Sequence, residues 1–327
     1  MRTYANPANI ELPIAVFLAH DSYQQAFPNQ ESYSISTLLK PIRQTVLASR
    51  IKPGQENLAD IRLMLASRLG QAIHLGLETA WNTGHKEALE ALGVPQSVRD
   101  RIKVNPDPST LKPGDLPIYT ERRSSKEVMG AIIHGQFDIV WQGEVQDLKT
   151  TSTFMVSSQA NADKYIKQGS GYRYLNPDIV TKDTLTIHYI IKDWSAIRAL
   201  GDSFYPQSPV LSKQYPLMSI PETEAWIRSQ VAMLRHHWNA PEPSLPPCSD
   251  EDLWRTETQY KYFSKATNTR SSKNFDTLAE AQLHLIEKGN VGVIKEVPGE
   301  IRACKTCPCF SICTQKDAYL ISGELKV

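Results

Sequence analysis

The stretch Gly135-Gln-Phe-Asp138-Ile-Val-Trp-Gln-Gly143-Glu-Val-Gln-Asp147-Leu-Lys149-Thr150 decides how this chain folds. An apolar run from Val128 to Val140 and a second from Val145 to Thr150 flank Gln142-Gly143, which predicts antiparallel strands joined by a short turn. Successive side chains on a strand face opposite ways, so Asp147 and Lys149 share a face and Leu148 is expected to point into the core. Asp138 falls on or near the neighbouring strand. Two carboxylates and one ammonium can thus converge at one end of a sheet. Mg²⁺ takes a few carboxylate oxygens and leaves its other positions to water and phosphate. An ion so held polarises a phosphoryl oxygen and generates hydroxide from bound water, while a lysine orients that water or stabilises the developing charge. Phosphodiester hydrolysis fits these parts. An edge hairpin with solvated charges would carry the same residues, so the reading depends on what accompanies them.

Working outward, a helix is expected over Ser34–Arg50, and a stronger one over Glu56–Trp81. In the latter Ile61, Leu65, Leu69, Ile73 and Leu77 recur every four residues as an amphipathic stripe. Residues 105–117 hold four prolines and read as a loop. Strand character begins near Ile118, a helix is expected over Asn161–Tyr174, and Leu185-Thr-Ile-His-Tyr-Ile-Ile191 has the pattern of a largely buried strand. A helix over Glu222–Trp238 leads to the Pro-rich linker 240–247. Beyond it a short helix (Leu278–Lys288) and a strand (Val291–Val297) precede a cysteine cluster. The first thirty residues give no clear pattern.

Two groups accompany the central stretch. His74 borders the apolar stripe of its helix. Gly70, one turn earlier, lets that helix approach the sheet, and Glu78, one turn later, could orient the imidazole. Gln168 and Tyr172, four apart, share a helical face. Gly169 and Gly171 between them each cost about 1 kcal/mol of helix stability, which suits close packing on a sheet or a broken helix.

The ordered set Gly70-x-x-x-His74, Gly135-x-x-Asp138, Asp147-x-Lys149-Thr150 and Gln168-x-x-x-Tyr172 resembles the RecB-type branch of the PD-(D/E)xK nuclease superfamily over about residues 34–200. The resemblance implies an α/β fold: a restriction-endonuclease-like core, with a mixed central sheet flanked by helices, N-terminal helices and a small Cys-rich C-terminal extension. It makes His74, Asp138, Asp147 and the Leu148 carbonyl metal ligands, with Lys149, Asp138, Asp147, Gln168 and Tyr172 catalytic. It implies Mg²⁺ or Mn²⁺ as cofactor and DNA, as linear duplex ends or single strand, as partner. The expected activity is a DNA exonuclease in recombination or repair. The alternatives are a non-cleaving DNA-end binding scaffold and a structure-dependent endonuclease. There is no Gly-Lys pair and so no phosphate loop of the ATP-driven kind. Such a nuclease would degrade ends unaided or borrow a motor, and a helicase, a recombinase and a single-strand-binding protein are the candidate partners.

Cys304-x-x-Cys307-x₅-Cys313 is similar to the C-terminal cysteine triplet of iron–sulfur members of that branch, with Cys309 an extra thiol inside it and Cys248 a further one upstream. Those members also carry a cysteine before a proline near the N-terminus. Here Lys40, before Pro41, stands in that place. Zn²⁺ and [4Fe–4S] both fit such a tail. Candidate DNA contacts are Arg122, Arg123 and Lys126 beside the central strands, and Arg255, Tyr260, Lys261, Lys265, Arg270 and Lys273 in the tail. There, cations would meet phosphates and aromatic rings would stack on bases. An ordinary hairpin with one apolar and one solvated face explains the tail pattern equally well.

Composition sets the bounds. Of 327 residues, 41% are apolar and 22% charged, as in ordinary globular proteins. Thirty-six basic residues oppose thirty-five acidic ones, so any polyanion must be held by a local patch. Five cysteines are too few to staple such a chain, and no run approaches the roughly 20 apolar residues of a membrane span. The expectation is a reduced protein of the cytoplasm of a bacterial or phage-infected cell. Its division would be 1–240, helical segment plus nuclease core, and 241–327, accessory basic, aromatic and Cys-rich tail.

Overall fold

The computed structural model describes residues 3–20, 27, 30–52, 59–158 and 161–326. The chain is a mixed α/β protein. Its contacts divide it into two compact units: Tyr4–Leu39 with Asp60–Met233, and Met1–Thr3 with Lys40–Ala59 and Leu234–Val327. The last of these boundaries, Met233 to Leu234, falls within the helix Ile220–His237.

The larger unit is built on a six-stranded sheet. Its order is Val210–Pro216, Thr184–Ile191, Glu144–Thr151, Ile139–Trp141, Leu116–Thr120, Ile102–Val104. Glu144–Thr151 lies parallel to Thr184–Ile191 and antiparallel to Ile139–Trp141. The parallel pair needs a crossover, and the helices Thr153–Ser158 and Ala162–Leu175 supply it. The expected two-residue turn is present. Trp141 pairs with Glu144, and Gln142 and Gly143 both adopt left-handed φ (48° and 81°), whose twist matches that of the flanking strands. Gly143 is required here, because a Cβ on it would also meet Thr181 Oγ1 at 2.2 Å.

A second sheet, Ser32–Ser34, Ala131–Gln136, Arg123–Val128, continues the same hairpin. The run Val128–Val140 is therefore two strands in different sheets. The chain leaves one sheet and enters the other at Phe137-Asp138, and its hairpin partner does so at Glu121-Arg122.

Alternation holds on Thr184–Ile191, where Leu185, Ile187, Tyr189 and Ile191 are buried. Register places Val145, Asp147 and Lys149 on that same face. The helix Ala162–Leu175 covers it, unbroken through Gly169 and Gly171. A Cβ on Gly169 would meet Leu185 Cδ2 at 2.9 Å, and one on Gly171 would meet Ile35 Cδ1 at 2.7 Å. The glycines thus mark close packing. Asp147 faces the covered side and is 2% exposed, while Leu148 lies on the other face and is only half-buried. The expectation that Leu148 fills the core is corrected.

Three further corrections concern helices and the linker. The helix expected over 34–50 is split into Ile35–Leu38 and Ile42–Arg50, because Pro41 lacks an N–H and disfavours helical backbone at Lys40. The helix expected from Glu56 is a tight turn at Ile61–Met64 followed by Leu65–Thr83, and residues 56–58 lie outside the described residues. Its buried positions are Ile61, Met64 and Arg68, whereas Leu65 and Leu69 are exposed. A row of every fourth residue advances about 40° per step around a 3.6-residue helix and slides off any fixed buried face. Within the smaller unit, the stretch 240–247 is not a loose linker. Buried Arg43 forms an ion pair with Glu242 and donates to the Leu245 and Pro246 carbonyls at 2.9 and 3.2 Å.

The smaller unit also holds a three-stranded antiparallel sheet, Lys273–Phe275, Gln259–Phe263, Val293–Val297, packed with the helix Leu278–Glu287. Leu253, Ile301 and Leu325 form a second core cluster, with Cys248 and Cys304 against it. The helix Leu12–Ala19 forms within the first thirty residues, where no clear pattern is legible. No described helix is long and apolar enough to cross a membrane.

Candidate active site

The corner where the long hairpin changes sheets creates the site. Glu121, the first residue after Leu116–Thr120, takes a left-handed φ of 48°, and its N–H donates to the Asp138 carbonyl at 3.0 Å. Both carboxylates therefore emerge at one bend. The helix Leu65–Thr83 brings His74 to them, with Nδ1 3.4 Å from Asp138 Oδ2 and 3.6 Å from Glu121 Oε1. His74, Glu121 and Asp138 each offer an atom within 4.8 Å of the others, a group that could hold a metal ion.

Both carboxylates accept further hydrogen bonds. The Leu148 N–H donates to Asp138 Oδ2 at 2.8 Å. Gln136 Nε2 donates to Glu121 Oε2 at 2.7 Å, and Arg123 Nη2 donates to Gln136 Oε1 at 3.1 Å. The carboxylates facing His74 are those of Asp138 and Glu121 rather than Glu78, which corrects the expected orienting partner. With no cation present, hydrogen bonding to Asp138 and then Glu121 pushes the His74 imidazolium up to about 10, against the cost of burial. A proton on that ring supplies the positive charge the two carboxylates demand.

Asp147 does not join that triad. Its Oδ2 is 2.6 Å from Lys149 Nζ. Burial pushes its carboxyl up to about 6, partly opposed by Lys149 and reinforced by the charge of Asp138. Burial alone would draw the Lys149 ammonium down, but Asp147 and Asp138 together hold it above its ordinary value. Lys149 Nζ also donates to Gln168 Oε1 at 3.4 Å, and Gln168 Nε2 donates to the Tyr172 hydroxyl at 2.8 Å. Burial raises the Tyr172 phenol further, so it stays neutral. Gly135 makes room for the Tyr172 ring, since a Cβ there would lie 3.0 Å from Cε1. Gly70 does lie over Thr150, but a Cβ there would stand 3.5 Å from Thr150 Oγ1, an ordinary contact, so the close approach does not require glycine.

The six side chains singled out from the central stretch and its two companions are thus gathered in one unit, in two linked groups: His74 with Asp138, and Asp147, Lys149, Gln168 and Tyr172. Sequence reading missed Glu121 and Gln136. The only sequence signal for Glu121 is the polar break Glu121-Arg122-Arg123 after the apolar Ile118-Tyr119, and its meaning depends on the register opposite Asp138.

Of the candidate DNA contacts, Arg122, Arg123 and Lys126 are exposed. Lys126 Nζ sits 4.1 Å above the Tyr174 ring. In the smaller unit Lys265, Arg270 and Lys273 are exposed, while Tyr260 and Lys261 are half-buried on the strand Gln259–Phe263. Arg255 is committed elsewhere, pairing with Asp250 and Glu324 at 2.6 and 2.5 Å and lying over the Tyr319 ring.

No protein-family model matches the chain, and a comparison with curated proteins finds no match. Among solved structures it is similar to a protein named SSO0001, at a TM-score of 0.39 and 15% identity over 71% of this chain and 90% of that one. It is also similar to a phage related exonuclease from Haemophilus somnus 129PT, at a TM-score of 0.30 and 14% identity over 64% of this chain and 94% of that one. Likeness at these scores carries no argument about fold or reaction, which rest here on the geometry.

Proposed function

We propose that this chain is a metal-dependent deoxyribonuclease of the RecB-type PD-(D/E)xK kind, acting as an exonuclease on a restriction-endonuclease-like core. The observation that carries the reading is the convergence of His74, Glu121 and Asp138 beside the Asp147–Lys149 pair. An imidazole with two carboxylates is a mixed nitrogen–oxygen donor set that suits Mn²⁺ as well as Mg²⁺. Asp147 and the Leu148 carbonyl would complete it once Asp147 releases Lys149. A bound ion supplies Lewis acidity at the phosphoryl oxygen and a lowered pKa for water.

The chain's own groups do the rest. Asp138 is fixed by the Leu148 N–H and Glu121 by Gln136, so the ligand oxygens need little rearrangement. Lys149, kept protonated by its acidic neighbours, offers an N–H to the attacking water or to the charge that builds on the phosphoryl group. Gln168, braced by Tyr172, limits where that ammonium can point. Arg122, Arg123 and Lys126 would carry phosphates of the strand. Duplex ends or single strands are the proposed substrate, in recombination or repair, with a helicase, a recombinase or a single-strand-binding protein as proposed partner.

The test is cleavage of end-labelled linear duplexes, single strands and covalently closed circles with Mg²⁺ or Mn²⁺. Loss of linear substrate from its ends is expected, abolished by Lys149→Ala. Unchanged cleavage by that variant refutes the assignment. Cleavage of circles points instead to an endonuclease, and salt-sensitive binding of ends without cutting to a scaffold.

A further inference from the structure

The five cysteines lie in the smaller unit, four of them (Cys304, Cys307, Cys309 and Cys313) within residues 304–313 and Cys248 far from those in sequence, and all five line one cavity of about 30 Å³. Separate features deliver them to it. The 3₁₀ turn Ala303–Thr306 and the bond from the Cys307 N–H to the Cys304 carbonyl fold Cys304-x-x-Cys307 into a tight turn. The Cys313 N–H donates to the Cys309 carbonyl and closes the next turn. Cys248 comes from beyond the Pro-rich stretch and is clamped twice by one side chain: its N–H donates to Gln315 Oε1 at 2.9 Å and its carbonyl accepts from Gln315 Nε2 at 3.1 Å.

The groups around the sulfurs differ in polarity. Arg43 Nη1 and Gln44 Nε2 approach Cys313 Sγ and Cys307 Sγ, each at 4.0 Å, as donors that suit a thiolate. Cys309 is the reverse. Its Sγ lies 3.3 Å from the Gln44 carbonyl oxygen, an acceptor, and can hold that contact only as an S–H donor. A metal-bound thiolate has no proton to give and would be repelled there.

We propose that Cys248, Cys304, Cys307 and Cys313 ligate a thiophilic metal centre and that Cys309 is not a ligand. Cys248 then takes the place that an N-terminal cysteine would fill. The segment after Lys40-Pro41 contributes N–H donors from Arg43 and Gln44 to the sulfurs instead of a sulfur of its own. Four such thiolates serve one tetrahedral Zn²⁺ or an iron–sulfur cluster alike, and the absorption spectrum separates the two. The site also explains how a loop-rich tail with a small core stays folded.

The experiment is metal content and visible absorption of the full chain, purified without oxygen and again after reconstitution with Zn²⁺ or with iron and sulfide. Wild-type protein should hold one centre per chain. A visible absorption band identifies iron–sulfur, and a colourless protein with stoichiometric zinc identifies the single ion. Cys248→Ser should lose the centre and Cys309→Ser should keep it. A metal-free wild type after both treatments overturns the proposal, as does loss in Cys309→Ser with retention in Cys248→Ser. If Cys248→Ser does not fold, alkylation of native wild-type protein before and after chelation decides. Cys248 should become reactive only once the metal is removed, and equal reactivity overturns the assignment. These readouts do not involve Mg²⁺-dependent cleavage, so this proposal and the nuclease reading can fail separately.

Discussion

Replacing Gly171 by alanine tests the packing that sets Gln168 and Tyr172 against Lys149. The new Cβ would stand 2.7, 2.8 and 3.0 Å from Cδ1, Cγ2 and Cγ1 of Ile35, where carbon atoms normally keep about 3.5–4.0 Å. Ile35 is fully buried, and both branches of its side chain face the intruder, so turning about χ1 exchanges one clash for another. Alanine gains about 1 kcal/mol over glycine in helix propensity. Overpacking of this kind costs about 1–3 kcal/mol. The clash is with three atoms, so the upper part of that range applies and the net loss is about 1–2 kcal/mol. For a unit of this size that is a fall in melting temperature of about 2–8 °C. Gly76→Ala is the control, because a Cβ there meets nothing within 4 Å on an equally regular helix, so the same substitution should raise the melting temperature by about 2–4 °C. Calorimetry of the two variants reads opposite signs. Combining Gly171→Ala with Ile35→Ala should cost less than the sum of the two single changes. Equal shifts for Gly171→Ala and Gly76→Ala, or strict additivity with Ile35→Ala, would refute the packing argument.

Binding of Mn²⁺ should release a proton, since His74 is protonated up to about pH 10 in the free site; affinity should then climb about tenfold per pH unit between 7 and 9, and calorimetry in buffers of different ionisation enthalpy measures it. A proton count of zero at pH 7 contradicts that state of the ring. Gln136→Ala frees Glu121 Oε2 and should weaken Mn²⁺ by about 10–100-fold in the same titration, with unchanged affinity refuting its role. Lys149→Ala should lower the single-turnover cleavage rate by about 100–1000-fold while leaving metal-free DNA binding in place, as a filter-binding assay would record. Asp147 carries a stability penalty whose sign is set by its raised carboxyl. Between the ordinary 3.8 and about 6 the unfolded chain has lost a proton that the folded chain keeps, so stability attributable to Asp147 falls as pH rises through that window. The full gap corresponds to about 3 kcal/mol. The advantage of Asp147→Asn over wild type in metal-free melts should grow from pH 4 to pH 6 and then level off, and a flat difference would exclude it.

Local pattern carried a good deal of this molecule. Gln142-Gly143 between two apolar runs specifies a turn with left-handed backbone, and the turn alone fixes the register that brings Val140 opposite Val145. Alternation in Leu185–Ile191 marks a buried face without reference to anything distant. The four-residue spacing of Gln168 and Tyr172 is enough to put them in contact. Each of these follows from geometry that repeats every two or 3.6 residues, which is why a reader of the sequence can find it.

Tertiary structure decided the rest, because the deciding contacts join residues that no local period relates. Glu121 becomes a partner of His74 only when the hairpin bends from one sheet into another opposite Asp138. Asp147 pairs with Lys149 and is buried because its face of the strand lies under the helix Ala162–Leu175. Arg43 is buried and fastens the Pro-rich stretch some 200 residues away (203 in the case of Pro246), which composition alone presents as a free linker. Sequence fixes which way a side chain points along its own element, but what it meets there depends on which other element has been packed against it.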